Sequence, residues 1–280
     1  MIINNNLAAK NAYRNLSDTT AKINSSIEKL SSGLEVNRAA DDAAGLAISE
    51  KMRAQVKGLD TAKKNAQNGI SLIQTAEGAL FETHSILQRM RELAIQSAND
   101  TNTESDRLKM QLEMNELRQE LDRIAKTTEF NTKTLLNGDF SKNKDALSFH
   151  IGANAYQDMS ATLEKLDAKS LGLARGEDKA LSIEKSKEAN KTIEKLDKAI
   201  EKVSTERAKY GAIQNRIEHS INNLGIASEN LQAAESRIRD TDVAKEIMEF
   251  SKNKIIQESG NSMLAQANSA PDEVLKLIEN

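Results

Sequence analysis

The fold of this chain is decided by residues 189–238, which read ANKTIEKLDKAIEKVSTERAKYGAIQNRIEHSINNLGIASENLQAAESRI. Every seventh residue of this stretch is apolar, without an interruption. The positions are Ala189, Leu196, Val203, Tyr210, Ile217, Leu224, Leu231 and Ile238. A repeat of seven keeps one stripe of a helix facing a partner helix, so the stretch predicts a coiled-coil seam. Counted from about residue 181 to 238, this helix would be roughly 85 Å long at 1.5 Å per residue.

The second stripe of the same helix is only partly apolar. Its polar members include Arg207, Gln214, Ser228 and Glu235. Polar residues at such positions weaken a seam but can fix its register and its partner.

Two more long helices precede this one. Residues 44–99 carry apolar positions at the same spacing, and residues 101–106 then interrupt the pattern. Thr103 followed by Asp106 is typical of a capping box, which predicts a third helix starting there. That helix would bury Met110, Met114, Leu117, Leu121 and Ile124. Three amphipathic helices of this size favour an elongated antiparallel bundle.

In the middle of the chain the spacing of apolar residues changes from the helical period to every second residue. Leu147, Phe149 and Ile151 alternate with polar residues, the turn-forming sequence GANAYQD follows, and Met159 and Ala161 alternate again. This pattern predicts a β-hairpin at about residues 145–165. The predicted fold class is therefore mainly α: an elongated antiparallel helical bundle or coiled coil with a small β-hairpin region in the middle.

The composition excludes several classes of protein. The 280 residues include five Phe, three Tyr, no Trp and no Cys, with a single proline at Pro271. So few aromatic side chains cannot build the core of an ordinary compact domain of this length. The absence of cysteine excludes disulfides and thiolate metal sites. The net charge of −3 comes from interspersed charges, which argues against binding to nucleic acid.

Signals for chemistry and for membranes are also missing. His84, His150 and His219 are far apart and form no zinc motif, and no phosphate-binding or nucleophile motif occurs. We therefore expect no enzyme activity, cofactor or metal. The sequence contains no run of 18 apolar residues, so it does not predict a membrane-spanning helix. The first 16 residues lack the apolar segment of a cleaved signal peptide.

Both ends of the chain have helical seams without a local partner. Apolar positions alternate spacings of four and three in each. The candidate assembly residues are Leu16, Ile23, Ile27, Leu30 and Leu34 at the start, and Ile256, Met263, Val274 and Leu277 at the end. We expect the two ends to pack against each other and against neighbouring copies of the chain.

Several stretches of the sequence resemble the bacterial flagellins. Near the start these are MIINNNLAAKNAYRNL, LSSGLEVNRAADDAAGLAISEKMRAQ, GISLIQTAEGALFETHSILQRMRELAIQSAND and EFNTKTLLNG. FHIGANAYQDM in the middle resembles the strand and turn of the family, and RAKYGAIQNRIEHSINNLGIASENLQAAESRIRDTDVAKE and SMLAQAN match its C-terminal part. Order and spacing agree over about three quarters of the chain.

The resemblance implies a subunit that polymerises into the bacterial flagellar filament for swimming motility. In flagellins the paired chain ends form the D0 region around the filament channel, and the longer helices with the hairpin form the rod-like D1 region. Mapped here, D0 would be residues 1–42 with 240–280, and D1 residues 43–239. Only a short stretch at 165–180 separates the hairpin from the last long helix, so the variable outer domains would be missing.

The resemblance also implies partners. The subunit would be exported by the flagellar export apparatus with the help of an export chaperone, without a cleaved signal peptide. It would function outside the cell, next to hook-associated and cap proteins. Gln88, Arg89 and Leu93, with Glu113 on the neighbouring helix, match the patch by which animal toll-like receptor 5 binds flagellin monomers. The same residues can instead serve contacts between subunits.

Two other interpretations remain open at this point. A hook–filament junction protein shares the terminal helices of flagellins but adapts the filament instead of forming it. A soluble coiled-coil adaptor satisfies the periodicity alone.

Overall fold

The computed structural model describes residues 6–141, 146–173 and 181–278, with side chains described up to residue 270. The fold class is mainly α, as predicted. The helices are α1 (Leu7–Ser32), α2 (Ala43–Ala98), α3 (Glu104–Thr127), α4 (Ser186–Arg239) and α5 (Val243–Ile278). Short strands lie between α3 and α4: β1 (Glu129–Phe130), β2 (Lys133–Thr134), β3 (Leu147–His150) and β4 (Asp158–Ala161).

The chain divides into two compact units. One unit contains Met1–Val56 and Glu229–Asn280, and the other contains Lys57–Ser228. Helices α2 and α4 each contribute residues to both units.

The predicted capping box at the start of α3 is confirmed. The Asp106 N–H donates to Thr103 Oγ1 at 3.3 Å, and the Thr103 N–H donates to Asp106 Oδ2 at 3.3 Å. Each residue thus satisfies a backbone N–H of the other that has no partner within the helix. The start predicted for the last long helix was wrong by about five residues, because residues 181–185 are not helical and bury Leu181 and Ile183 instead.

The core of the Lys57–Ser228 unit is built around the heptad seam of α4. Leu196, Val203, Tyr210 and Ile217 are fully buried, and Leu224 is nearly so. Leu231 and Ile238, beyond this unit, are half-buried. Burial raises the pKa of the Tyr210 hydroxyl, because the charged form would lose its hydration.

Three of the polar positions in the second stripe of α4 contact α2. Arg207 lies 3.7 Å from Glu77, and its guanidinium is 5.4 Å from the centre of the Phe81 ring. Ser228 Oγ donates to Asp60 Oδ1 at 3.1 Å. Glu235 accepts from Arg53 at 2.7 Å in the other unit. These pairs fix the register of α4 on α2, which an uninterrupted apolar stripe would leave free to slip.

The predicted β-hairpin is present and packs on α2. Strands β3 and β4 are antiparallel, with Leu147 opposite Ala161 and His150 opposite Asp158. Two glycines of α2, three helical turns apart, make room for it. A Cβ on Gly69 would lie 3.0 Å from the Phe149 ring, and one on Gly58 would lie 3.2 Å from the Ala153 Cα.

We expect Gly58→Ala to destabilise the protein by about 1–3 kcal/mol, because the added methyl group meets the backbone of the hairpin loop. The matched control is Gly211→Ala in α4, where a Cβ meets nothing within 4 Å. That control gains helix propensity and stabilises by about 0.5–1 kcal/mol. Urea unfolding of both variants measures the difference, and equal effects at the two sites would contradict this packing.

A second hairpin, β1–β2, was not predicted. Its two central residues, Asn131 and Thr132, have φ values of 49° and 65°. This is the left-handed conformation that a two-residue hairpin turn requires. Strands of two residues are too short for an alternating pattern, and the turn lacks the glycine that usually marks it.

Residues 181–183 are held by a side chain of α3. The Ile183 N–H donates to Gln111 Oε1 at 2.8 Å, and Gln111 Nε2 donates to the Leu181 carbonyl at 3.0 Å. Ser97 Oγ also donates to the Ile183 carbonyl, and Thr192 Oγ1 donates to the Ser182 carbonyl at 3.1 Å. The backbone N–H and C=O groups of this segment are not paired with a neighbouring strand, so side chains supply the hydrogen bonds that a strand would otherwise provide.

Candidate functional site

The terminal helices α1 and α5 pack against each other. Gly260 lies beneath Leu16, because a Cβ there would be 3.5 Å from Leu16 Cδ1. Gln257 Nε2 donates to Thr20 Oγ1 at 3.1 Å, and Asn6 Nδ2 donates to the Ala267 carbonyl at 2.7 Å. The less exposed residues of α5 recur at spacings of four and three: Glu246, Phe250, Asn253, Gln257, Gly260, Leu264 and Ala267.

The structure divides the predicted assembly residues into two groups. In α1, Ile23 is buried and Leu16 and Leu30 are half-buried, as is Leu34 just beyond the helix, whereas Ile27 is exposed. In α5, Ile256 is 45% exposed and Met263 is 61% exposed. Val274 and Leu277 lie outside the residues whose side chains are described.

Large apolar side chains therefore remain exposed on both terminal helices. In addition to Ile27, Ile256 and Met263, they are Leu7, Tyr13, Val243, Ile247, Met248 and Ile255. An open groove of about 570 Å³ runs between the helices, lined by Leu16, Ile255, Ile256 and Met263 among others. Apolar surface this concentrated is typical of a surface that a protein partner covers.

A clasp of backbone hydrogen bonds connects the ends of α1 and α4. The Glu35 N–H donates to the Arg239 carbonyl at 2.7 Å, and the Thr241 N–H donates to the Gly33 carbonyl at 3.0 Å. Lys29 Nζ donates to Glu35 Oε1 at 2.5 Å. This hydrogen bond lowers the pKa of Glu35 and raises the pKa of Lys29. The clasp joins the segment that follows α1 to the segment that precedes α5, and α5 packs along α1.

The four residues of the receptor patch do not share one surface. Arg89 Nε donates to Glu113 Oε1 at 2.9 Å and its Nη1 donates to Glu92 Oε2 at 3.2 Å, and these side chains are exposed. Gln88 is exposed and lies 3.0 Å from His84. Leu93 is only 2% exposed and belongs to the core cluster of its unit. Only Gln88, Arg89 and Glu113 can meet a partner directly.

Comparison with protein families decides where the chain belongs. Residues 3–141 match the bacterial flagellin N-terminal helical region, and residues 193–278 match the bacterial flagellin C-terminal helical region. The chain is a member of the bacterial flagellin family. It is a structural subunit of the flagellar filament, as the resemblance implied.

Relatives of similar length support this assignment. A flagellin of Halalkalibacterium halodurans is 51% identical over 99% of this flagellin chain and 100% of its own. The flagellar filament 33 kDa core protein of Treponema phagedenis is 47% identical with the same coverage. A solved chain from Vibrio parahaemolyticus, assigned as a flagellar hook-associated protein, covers 71% of this chain with its whole length, at a TM-score of 0.60 and 15% identity. The last comparison shows a shared fold alone.

The described part of this flagellin contains neither a cluster of metal ligands nor a membrane-spanning helix. Within residues 6–141, 146–173 and 181–278, no three histidine or carboxylate side chains come together as a metal site requires. No helix in these ranges is long and apolar enough to cross a membrane.

Proposed function

We propose that the exposed apolar faces of α1 and α5 are the surfaces through which this subunit polymerises. In this proposal residues 1–42 and 240–280 form the D0 region around the filament channel, and residues 43–239 form the D1 region. The observation that carries it is a packed helix pair that still exposes Ile256 and Met263 to solvent. Burial of each such side chain contributes about 1.5–3 kcal/mol, which becomes available only when another copy covers it.

The two exposed faces differ in sequence, so a contact between them is heterologous. A heterologous contact repeats from copy to copy and extends a helix of subunits unless its rotation closes a ring. The filament proteins among the relatives favour the open helix over a closed ring.

Deleting residues 264–280 tests the role of the terminal pair. We expect the truncated chain not to elongate short filament seeds, because it lacks the part of α5 whose Ala267 carbonyl accepts from Asn6. Sedimentation after mixing with seeds measures growth, and a chain lacking only residues 279–280 is the control. Sedimenting filaments of normal yield from the deletion would contradict the proposal.

The same experiment separates the alternatives. A filament subunit adds continuously to seeds, whereas a hook–filament junction protein adds once and a soluble adaptor does not add. The filament proteins among the relatives favour continuous addition.

Export and capping follow from the same surfaces. We propose that the chain leaves the cell through the flagellar export apparatus without a cleaved signal peptide, and that an export chaperone binds the C-terminal segment while it is unpaired. An amphipathic segment that lies in the groove of a partner is a common recognition mode. Hook-associated and cap proteins would meet the same terminal helices at the filament ends.

We also propose that monomers are recognised by animal toll-like receptor 5 through Gln88, Arg89 and Glu113. Arg89 offers a charged side chain that is held toward Glu113 and is half exposed. Leu93 would support this surface from within the core, because its side chain is buried.

Arg89→Ala should lower receptor signalling by the monomer about tenfold, which corresponds to about 1.4 kcal/mol of lost binding. The dose response of reporter cells measures it. Arg123→Ala on α3 is the matched control, because it removes an exposed arginine paired with Glu120 in a similar way. Exposed ion pairs contribute little to stability, so both variants should stay folded. An unchanged dose response for Arg89→Ala would contradict recognition through Arg89.

A further inference from the structure

The methionines that the structure describes divide into two groups by exposure. Those of the Lys57–Ser228 unit are buried, with at most 8% of each residue exposed: Met90, Met110, Met114 and Met159. Met52 is half-buried. Met248 and Met263 are 66% and 61% exposed. In the described part of the chain, the exposed methionines therefore both lie on α5.

Both of these methionines belong to exposed apolar stripes of α5. Met248 comes seven residues before Ile255, and Met263 comes seven residues after Ile256. A spacing of seven returns a helical residue to within about 20° of the same direction, so each methionine extends the stripe of its isoleucine. Both isoleucines are exposed, and Met263 also lines the open groove between α1 and α5. The two methionines thus lie in the surface that we assign to contact between copies.

The thioether of an exposed methionine is oxidised by peroxides. Hydrogen peroxide transfers one oxygen atom to the sulfur, which loses two electrons, and the peroxide is reduced to water. A sulfur–oxygen bond forms, and no bond of the protein breaks. The product, methionine sulfoxide, is polar, whereas the thioether is apolar. Neighbouring aliphatic side chains such as Ile255 have no group that reacts in this way.

We propose that Met248 and Met263 are oxidation sites through which peroxide controls assembly of the subunit. Oxidation of a free subunit makes its contact surface polar, so that a neighbouring copy no longer covers it. Reduction of the two sulfoxides by a methionine sulfoxide reductase restores the subunit. This inference rests on the proposed polymerisation, because both residues lie in the face through which it occurs.

Oxidation at these two positions leaves the folded monomer intact. Because both side chains are exposed, a sulfoxide there keeps its hydration and disturbs no core contact. Met90 and Met114, in contrast, are fully buried in the core cluster of their unit. Burial keeps peroxide away from them, and susceptibility follows exposure. The free subunit therefore reacts first at the assembly surface.

The same sulfoxides become unfavourable when a second copy covers them. A polar group that loses its hydration without gaining a hydrogen bond raises the free energy of the buried state. Ile255 and Ile256, which share the stripes of the two methionines, have no side-chain donor for a sulfoxide oxygen. In a filament that has already formed, the neighbouring copy shields the thioethers from peroxide. The control therefore acts on free subunits.

Peroxide treatment followed by peptide mass spectrometry tests the selectivity. In the free subunit we expect Met248 and Met263 to gain oxygen at least about tenfold faster than Met90 and Met114. In grown filaments the same two residues should react about tenfold more slowly than in the free subunit, because they are covered. Equal rates in free subunits and filaments would overturn the inference.

Seeded growth of treated subunits tests the consequence. Each sulfoxide should raise the critical concentration about tenfold, and methionine sulfoxide reductase should reverse the effect. Met248→Leu with Met263→Leu removes both thioethers and keeps apolar side chains of similar volume, so treated and untreated subunits of this variant should share one critical concentration. Met52→Leu is the matched control and should stay sensitive, because it removes a half-buried methionine outside α5. Circular dichroism should show unchanged helical content after treatment.

The outcomes separate this inference from the proposed polymerisation. Equal critical concentrations for treated and untreated subunits of the unmodified chain would overturn the inference and leave the terminal helices as the assembly surface. Sensitivity that persists in the variant with both leucines would overturn it as well. If untreated subunits fail to grow on seeds, the proposed polymerisation is refuted and the control by peroxide with it, whatever the order in which the methionines react.

Discussion

Replacing Ile256 and Met263 together with aspartate should abolish filament growth and leave the monomer folded. Both side chains are exposed in the packed pair of α1 and α5, at 45% and 61%, so the substitutions leave the buried contacts of the pair in place. In the filament they would place two charges in a surface that another copy covers. The loss of two buried apolar side chains corresponds to about 3–6 kcal/mol, or more than a hundredfold in critical concentration.

Seeded growth followed by sedimentation measures the effect, and circular dichroism checks the helical content of the monomer. Asn261→Asp with Gln266→Glu is the matched control, because it adds the same charge at exposed polar positions of α5. Filaments of normal yield from the Ile256 and Met263 variant would show that this face is not covered by a neighbour. A loss of helical content would show instead that the two residues support the monomer.

Gln111→Leu should destabilise the protein by about 2–4 kcal/mol. Gln111 is buried, and its amide satisfies the Ile183 N–H and the Leu181 carbonyl at 2.8 and 3.0 Å. Leucine fills a similar volume but leaves both backbone groups buried without these partners, at about 1–3 kcal/mol for each. The midpoint of thermal unfolding should fall by roughly 5–10 °C.

Gln119→Leu in the same helix is the control, because the Gln119 side chain is exposed and donates to Glu116 Oε1, also exposed, at 3.3 Å. That substitution should change stability by less than about 0.5 kcal/mol. Hydrogen exchange of the Ile183 amide gives a local readout and should accelerate in Gln111→Leu alone. Equal unfolding midpoints for the two variants would contradict the role assigned to Gln111.

The helical part of the fold was readable because its signals are local. The heptad of α4 identified Leu196, Val203, Tyr210 and Ile217 as core residues, and all four are fully buried. The Thr103 capping box located the start of α3. The segment 181–185 was misread as helix because it contains no proline or glycine that would end one, while the hydrogen bonds that hold it outside the helix come from Gln111 and Ser97, 70 or more residues away.

The receptor patch shows that helical spacing alone does not predict which side chains are exposed. Residues four apart on a helix share a face only approximately, since they are rotated by about 40° around the axis. Arg89 and Leu93 fall on opposite sides of the boundary between surface and core. The neighbouring elements set that boundary, and the sequence of α2 alone does not contain it.

The sequence by itself determined that this chain is helical, that its ends are amphipathic, and that it belongs with the flagellins. It could not determine which stripe of α5 faces α1. Met263 and Leu264 are adjacent apolar residues there, so two neighbouring stripes satisfy the same spacing. The packing of α5 on α1 decides between them. Gly260 makes room for Leu16, and Gln257 donates a hydrogen bond to Thr20. These contacts turn Leu264 toward α1 and leave Ile256 and Met263 exposed, where another copy can cover them.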